Sequence, residues 1–444
     1  MTRGAARTRP VGVVPPAGAP FGDELAAGLR ALVSPYGVMS EVLPGAPVRG
    51  LGRLSLASAR IGGAPGVERP DEFRGAGRSL DGPEQAALTA IAEGAERYAG
   101  TDFPGDREVW ATAAELDGRV LDMSAVPRCS PREYRSGHCP VTPYDPHQRI
   151  RWNQGLDLAT REPMWVPAVM ARHGVRRPAD AEGFWNRIST GYAVHSDPVE
   201  AIVRGIAEVC ERDAAALTWL QMLPLPRITF DAPTDDLSAL IEYSDRHFLE
   251  TYFFDATTDM GVPTVYCVQT SEYDEACRQI VGCATGRDLP QAAAKALLES
   301  VPARALFHRE DPGSFGLIMA GAELMGKAER RQSFDFLLGG HGGTRRHGTP
   351  GRPALPTDST AALEQLLRAL RGRGMQAVAV DRTTRELKVA GLTAVCVVIP
   401  ALQPLTFHQH GQYRAHPRLY EAPAHLGFPV RREEELNPWP QPFL

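Results

Sequence analysis

The phrase Ile91-Ala92-Glu93-Gly94-Ala95-Glu96-Arg97 returns as Ile206-Ala207-Glu208-Val209-Cys210-Glu211-Arg212. Each copy sets two carboxylates at i and i+3, on one face of a helix, with an arginine directly behind the second. Solvated helix faces also carry Glu and Arg at such spacings, but they need not repeat an apolar frame residue for residue. A third helix-forming stretch brings Glu299 and, further on, Arg304. Carboxylates gathered on several helices suit hard divalent cations, and hard cations held this way usually accompany phosphates. Neither Gly75-Ala76-Gly77 nor Gly339–Gly343 leads into a Lys-Ser/Thr pair. A nucleotide here would therefore be held through metal ions and arginines, not by a phosphate loop.

These residues need helices on a frame that brings them together. Glu84–Ala99 is predicted as a helix opening after Pro83 and closing at Gly100. Val199–Leu220 follows Ser196-Asp197-Pro198, with Asp197 as the cap and Pro198 in the first turn, and Gln291–Phe307 follows Pro290. Shorter helices are expected at Asp23–Leu32 and Thr360–Arg371. Strands are expected between Val38 and Ile61 and at Arg149–Asn153, Pro163–Met170, Arg227–Phe230, Pro263–Gln269, Ala377–Asp381 and Leu392–Pro400. Residues 1–28 read as a flexible arm, 29–337 as a core carrying the internal repeat, and 338–356 as a Gly-rich linker or loop. Residues 357–444 read as a β/α module of the same domain, irregular from Pro423 onward. Helices and strands alternate throughout, so the fold class is mixed α/β (α+β).

Composition narrows the setting. Apolar residues make up 43% of the 444 and charged ones 23%, ordinary for a chain with a sizeable core. A net charge of −5 and the lack of any long Lys/Arg run argue against nucleic acid as a partner. No signal-peptide pattern and no apolar run of membrane-spanning length is present. Seven scattered cysteines do not form a disulfide framework, so a reducing cytoplasm is expected. Cys129 and His138-Cys139 lack the paired spacing of a zinc site, and His408 and His410 alternate along a strand-like stretch as surface residues do.

Together the motifs resemble the YcaO superfamily, ATP-dependent enzymes that activate backbone amides of ribosomal peptides. The family's first nucleotide motif is matched by Gly77-Arg78-Ser79 and by Ala86 through Arg97, with Thr89 where serine is usual. The second is matched by Ser189-Thr190-Gly191 and Glu208, Glu211, Arg212 and Asp213, and the third by Ala296-Leu297-Leu298-Glu299 and Arg304. Trp152-x-x-Gly155-x-Asp157-Leu158 and Asp259-Met260-Gly261-Val262-Pro263 are lesser matches. The lysine common in the first glycine turn is absent, with Arg78 as its stand-in, and Pro302 replaces a frequent glutamine. Pro438, Pro440 and Pro442 resemble the PxPxP ending of azoline-forming members, with Leu444 at the very end. A proline run of this kind favours stiff extended polyproline conformation.

The resemblance implies a YcaO-like fold with internally duplicated β/α subdomains around an ATP and Mg2+ site. It implies that Glu93, Glu96, Glu208, Glu211 and Glu299 hold Mg2+, and that Arg78, Ser79, Thr89, Arg97, Ser189, Arg212 and Arg304 serve the nucleotide. The tail would place the Leu444 carboxylate near the nucleotide as a base. The implied reaction is cyclodehydration of Cys, Ser or Thr in a ribosomal precursor peptide to thiazolines or oxazolines. Thioamide or macrocyclic amidine formation shares the same nucleotide residues and is the competing chemistry; a scaffold subunit without turnover is the non-enzymatic alternative. Implied partners are the precursor peptide, a separate E1-like or ThiF-like protein that binds its leader, and a flavin-dependent azoline dehydrogenase. A homodimer is expected on the same ground.

Overall fold

The computed structural model describes residues 21–62, 74–102, 108–174, 179–308, 316–347 and 354–443. A three-stranded antiparallel sheet is formed by β1 (Met39–Pro44), β2 (Ser55–Ile61) and β3 (Arg74–Ser79), in that order. The next strands are β4 (Glu108–Ala111), β5 (Arg119–Val120), β6 (Ile150–Asp157), β7 (Pro163–Pro167) and β8 (Tyr192–His195). They are followed by β9 (Arg227–Phe230), β10 (Glu250–Asp255), β11 (Thr264–Thr270), β12 (Gln279–Thr285) and β13 (Thr344–His347), then β14 (Val378–Asp381) and β15 (Thr393–Val398). One five-stranded sheet has the order β12-β11-β10-β9-β13. A seven-stranded sheet has the order β5-β7-β6-β14-β15-β8, with β4 also pairing β6.

The helices are α1 (Asp23–Ala31), α2 (Pro83–Ala99), α3 (Pro131–Arg135), α4 (Ala168–Ala171), α5 (Pro198–Leu220) and α6 (Asp235–Arg246). After them come α7 (Leu289–Arg304), α8 (Gly316–Gly326), α9 (Asp335–Leu338), α10 (Ser359–Gly372), α11 (Arg385–Val389) and α12 (Arg418–His425). The mixed α/β class read from the sequence is the class observed.

α5 is the central element. Asp197 caps it, accepting a hydrogen bond from the Val199 N–H at 2.8 Å. Its first half packs Val203, Ile206 and Cys210 with residues of β14, β15 and α10. Its second half packs Leu217, Trp219 and Leu220 with Tyr266, Val281 and Cys283 of the five-stranded sheet. The second E-x-x-E-R phrase lies where the helix passes from one core to the other.

Several expectations shift on inspection. Gly77-Arg78-Ser79 belongs to β3 and is not a turn. A Cβ on Gly77 would collide with the Ala86 carbonyl, so the glycine is there to let the α2 backbone lie directly on the strand; Gly282 of β12 serves α7 in the same way. Residues 168–170, expected to extend a strand, form α4 instead. The Gly-rich linker contributes β13, which pairs in parallel with β9, while its residues 348–353 lie outside the described residues. Pro423 lies inside α12, so the irregular tail begins later than expected. Of the expected arm, residues 1–20 lie outside the described residues, whereas 23–28 are already α1 with Leu25 and Ala26 buried. The C-terminal module shares the seven-stranded sheet through β14 and β15.

Candidate nucleotide and metal site

Each carboxylate of the repeated phrase accepts a backbone N–H from within or directly beside a strand. On α2, Glu93 accepts from Ala76 of β3 at 2.9 Å, and Glu96 accepts from Val194 of β8 at 3.3 Å. On α5, Glu208 accepts from Gly191, just before β8, at 3.1 Å, and Glu211 accepts from Thr285 of β12 at 2.8 Å. In both copies the first glutamate bonds the strand region preceding its own helix, and the second reaches across to another sheet. The repeat in sequence is thus a repeat in wiring. It draws three sheets together around one row of carboxylates.

The arginines behind the carboxylates reinforce this. Arg97 donates to Glu93 at 2.6 Å and Arg212 to Glu208 at 3.3 Å, each an i,i+4 pair within its helix. α7 completes the site with Glu299, whose charge is felt by Arg212 and which itself feels Glu211, Arg78 and Lys295.

The site is deep yet open. Protein surrounds the carboxylates closely, but Glu208 keeps 24% and Glu211 13% of the side chain exposed. Burial first, then Glu208 and Glu93, push the Glu96 carboxyl up to about 8. Burial drives Glu208 up to about 7, with Glu211 adding to it against the pull of Arg212. Glu299 rises to about 7 by burial and by Glu211. The Arg212 pKa rises as well: burial opposes its charge, but Glu211, Glu208 and Glu299 more than offset that and hold it cationic.

Carboxylates crowded this way lack cationic charge, since a buried anion needs a partner. The donor set fits divalent cations bound by oxygen. Among the described residues no three metal-binding side chains converge on a single point. Each ion would then take one or two carboxylates, the usual protein share for Mg2+ that shares its shell with phosphate oxygens and water.

Other expected residues take varied places. Arg78 lies close enough to Glu299 for their charges to interact. Ser79 is buried and its hydroxyl accepts from Asp81 N–H, while Ser189 is exposed in the turn before Gly191. The Thr89 hydroxyl donates to the Gln85 carbonyl of its own helix at 2.9 Å. Arg304 is not brought to the carboxylates: it is buried against Asp274 at 2.7 Å, Gln269 at 3.0 Å and the Cys277 carbonyl. Its guanidinium is taken up by β11 and the loop before β12.

Lys295, which sequence reasoning passed over, stands one turn before Glu299 on α7. Its Nζ donates to the Thr285 carbonyl at 3.3 Å, so Thr285 is gripped by Glu211 and Lys295 together. Burial lowers its pKa while Glu211 and Glu299 oppose that. The i,i+4 spacing of Lys295 and Glu299 was the available signal.

The proline-rich tail is packed, not loose. Pro440 and Pro442 are buried, Trp219 Nε1 donates to the Trp439 carbonyl at 3.1 Å, and Gln409 donates to the Pro438 carbonyl at 3.0 Å. Arg330 stacks over Trp439 at 3.8 Å. Phe443 is 2% exposed and lies under the Arg212 guanidinium at 5.0 Å, bringing the tail to the carboxylate row. Leu444 lies outside the described residues.

A family model described as YcaO cyclodehydratase, ATP- and Mg2+-binding, matches residues 76–403. The chain belongs to the YcaO family. This YcaO chain is 28% identical over 244 residues to an uncharacterized protein in the tfuA 3′ region of Rhizobium leguminosarum bv. trifolii, covering 51% of this chain and 54% of that one. It is 27% identical over 330 residues to an uncharacterized protein of Methanothermobacter thermautotrophicus, covering 72% and 79%. A heterocyclase solved in complex with substrate and cofactor shares the fold at a TM-score of 0.77 and 21% identity, over 95% of this chain and 58% of that one. The chain thus spans little more than half the length of the Rhizobium relative and of this heterocyclase. YcaO from Methanopyrus kandleri, bound with AMPPCP and Mg2+, shares it at 0.60 and 20% identity, over 82% and 86%. An E. coli microcin synthetase McbBCD complex contains a chain with the same fold at 0.63 and 14% identity, over 90% and 96%. ATP and Mg2+ are the cofactors of the family. Among the described residues no helix is long and apolar enough to cross a membrane.

Proposed function

We propose that the protein is an ATP-dependent cyclodehydratase that converts Cys, Ser or Thr residues of a ribosomal precursor peptide into thiazolines or oxazolines. The observation that carries this reading is the tail: Phe443 seated on Arg212 leads the proline-rich chain end to the carboxylate row. When bound, Mg·ATP supplies a phosphoryl group that removes the amide oxygen as phosphate, which an amide cannot otherwise lose.

The protein's share is positioning and charge neutralisation. Glu93, Glu96, Glu208, Glu211 and Glu299 would hold Mg2+. Lys295, Arg78 and Arg212 would supply positive charge to the phosphates, and Arg97 orients Glu93. Thr89 and Ser189 would offer hydroxyls to the nucleotide, and Ser79 is a buried brace for the β3–α2 junction. As the resemblance implies, Leu444, beyond a tail that Pro438, Pro440 and Pro442 stiffen, would supply the base that accepts the proton of the attacking thiol or hydroxyl. The peptide is delivered by an E1-like or ThiF-like leader-binding partner, and a flavin-dependent dehydrogenase oxidises the rings afterwards. The seven free thiols suit a cytoplasmic setting.

Mass spectrometry of a Cys-rich precursor peptide, incubated with the protein, Mg·ATP and the leader-binding partner, tests the reading. One water lost per ring, abolished by Glu96→Gln, supports it. An oxygen-for-sulfur exchange when sulfide is supplied would replace it with thioamidation. Unchanged mass and no phosphate release, with the peptide bound, would replace it with a scaffold role.

A further inference from the structure

Within the tail that reaches Arg212, one side chain is buried at a loss. Gln441 is 1% exposed, and among the described residues neither its Nε2 nor its Oε1 has a hydrogen-bond partner. Asn437 is equally buried, and its Nδ2 is unpaired too. The other glutamines buried this deeply are paired at both ends of the amide. Gln221 grips the carbonyl and the N–H of Arg431, Gln269 joins Ser244 and Arg304, and Gln403 joins the Gln412 carbonyl and His416. A primary amide closed in without partners gives up hydrogen bonds that water would restore. In the closed tail that cost falls on Gln441, between Pro440 and Pro442.

The same segment has few directional holds. Its base is anchored at Arg431 by Gln221, and at Asn437, whose N–H donates to the Leu220 carbonyl at 2.9 Å. Beyond Asn437, its hydrogen bonds to the rest of the described protein are those from Gln409 to the Pro438 carbonyl and from Trp219 to the Trp439 carbonyl. Pro438, Pro440 and Pro442 have no N–H to add. Stacking and close packing do the rest. Trp439 lies under Arg330, and Phe443 under Arg212. The Gln441 carbonyl rests on Gly321 of α8, where a Cβ would collide with it.

We propose that residues 438–443 form a strap that lifts from α5 and α8 and reseats while the rest of the protein stays folded, with the unpaired Gln441 amide setting the balance toward opening. Lifting hydrates that amide and uncovers Arg212 beside the carboxylate row; closing seats Phe443 on the guanidinium again. Asn437, tied to Leu220, is the hinge. Opening gives a peptide chain access to the row from the side that the closed strap covers. That last use rests on the cyclodehydratase reading, whereas the motion itself is measured without any substrate.

The test is digestion of the folded full-length protein with carboxypeptidase Y, following by mass spectrometry the loss of Phe443 after Leu444. Rates are taken relative to a free peptide of the same ending, so that only access to the chain end is compared. Cleavage of a briefly opened segment tracks the open population when reclosing is fast. Phe443 should be released from the folded protein, at a rate scarcely changed by urea too dilute to unfold it, as local opening requires. Gln441→Leu keeps much of the bulk but removes the unpaired polar atoms, and should slow that release at least about tenfold. Should the leucine variant fail to fold, Gln441→Met carries the same test. Release seen only where the whole protein unfolds would overturn the proposal. So would a folded leucine or methionine variant that loses Phe443 no more slowly than the parent, since the closed amide would then have a partner.

Discussion

Glu96 separates metal binding from folding, because its carboxylate is costly to the empty protein. Between the free value of 4.5 and its folded value of about 8, folded Glu96 keeps a proton that the unfolded chain releases. Glu208 and Glu299, each raised to about 7, do the same over a narrower range. The folded state binds more protons there, so stability of the metal-free protein falls as pH rises from about 5 to about 8. Melting curves in a chelator should show that fall, and added Mg2+ should raise the midpoint more at about pH 8 than at about pH 6. A Glu96→Gln variant should lose at least about 100-fold in ATP turnover. It should nevertheless melt no lower than the parent in chelator, a result that simple misfolding cannot produce. At this scale the sequence was legible where a motif repeated, as with Glu93, Glu96, Glu208 and Glu211. It misled where a basic residue had a nearer acid: Arg304 follows Glu299 along α7 but is drawn to Asp274.

At the scale of elements, three carboxylate helices lie directly on strands, and glycines make that approach possible. Gly77→Val should therefore force α2 off β3 and cost about 3 kcal/mol, read as a lower urea midpoint. The glycine pattern was visible in the sequence but carried two meanings, a turn or a close contact, and only packing against α2 decides for the strand. The Gly-rich segment before Pro356 was ambiguous in the same way, because β13 gains its ladder from β9, far away in sequence. Helix α5 was legible nearly to the residue, since Asp197 and Pro198 are local signals that need no partner. The tail makes its own prediction. Deleting Leu444 should leave the melting temperature and ATP affinity nearly unchanged, as Phe443 remains over Arg212, while peptide conversion falls about tenfold or more. Equal conversion by the shortened chain would remove the terminal carboxylate from the account.

For the whole molecule, the sheets are assembled from distant segments. β14 pairs β6 and β15 pairs β8, so the central sheet closes only when residues past 354 return to it. Residues 357–444 expressed alone should show no cooperative thermal transition, whereas mixing them with the remainder should restore one. Composition and alternation gave the fold class, but long-range pairing of this kind leaves no local trace. The central claim, that this fold spends a phosphoryl group to remove an amide oxygen, is tested most directly by isotope transfer. A precursor peptide labelled with heavy oxygen at the carbonyl preceding the reacting cysteine would be converted with Mg·ATP, and the released phosphate weighed. The label should appear in the phosphate, one atom for each ring formed. Unlabelled phosphate, with rings formed and the heavy oxygen in water, would contradict it.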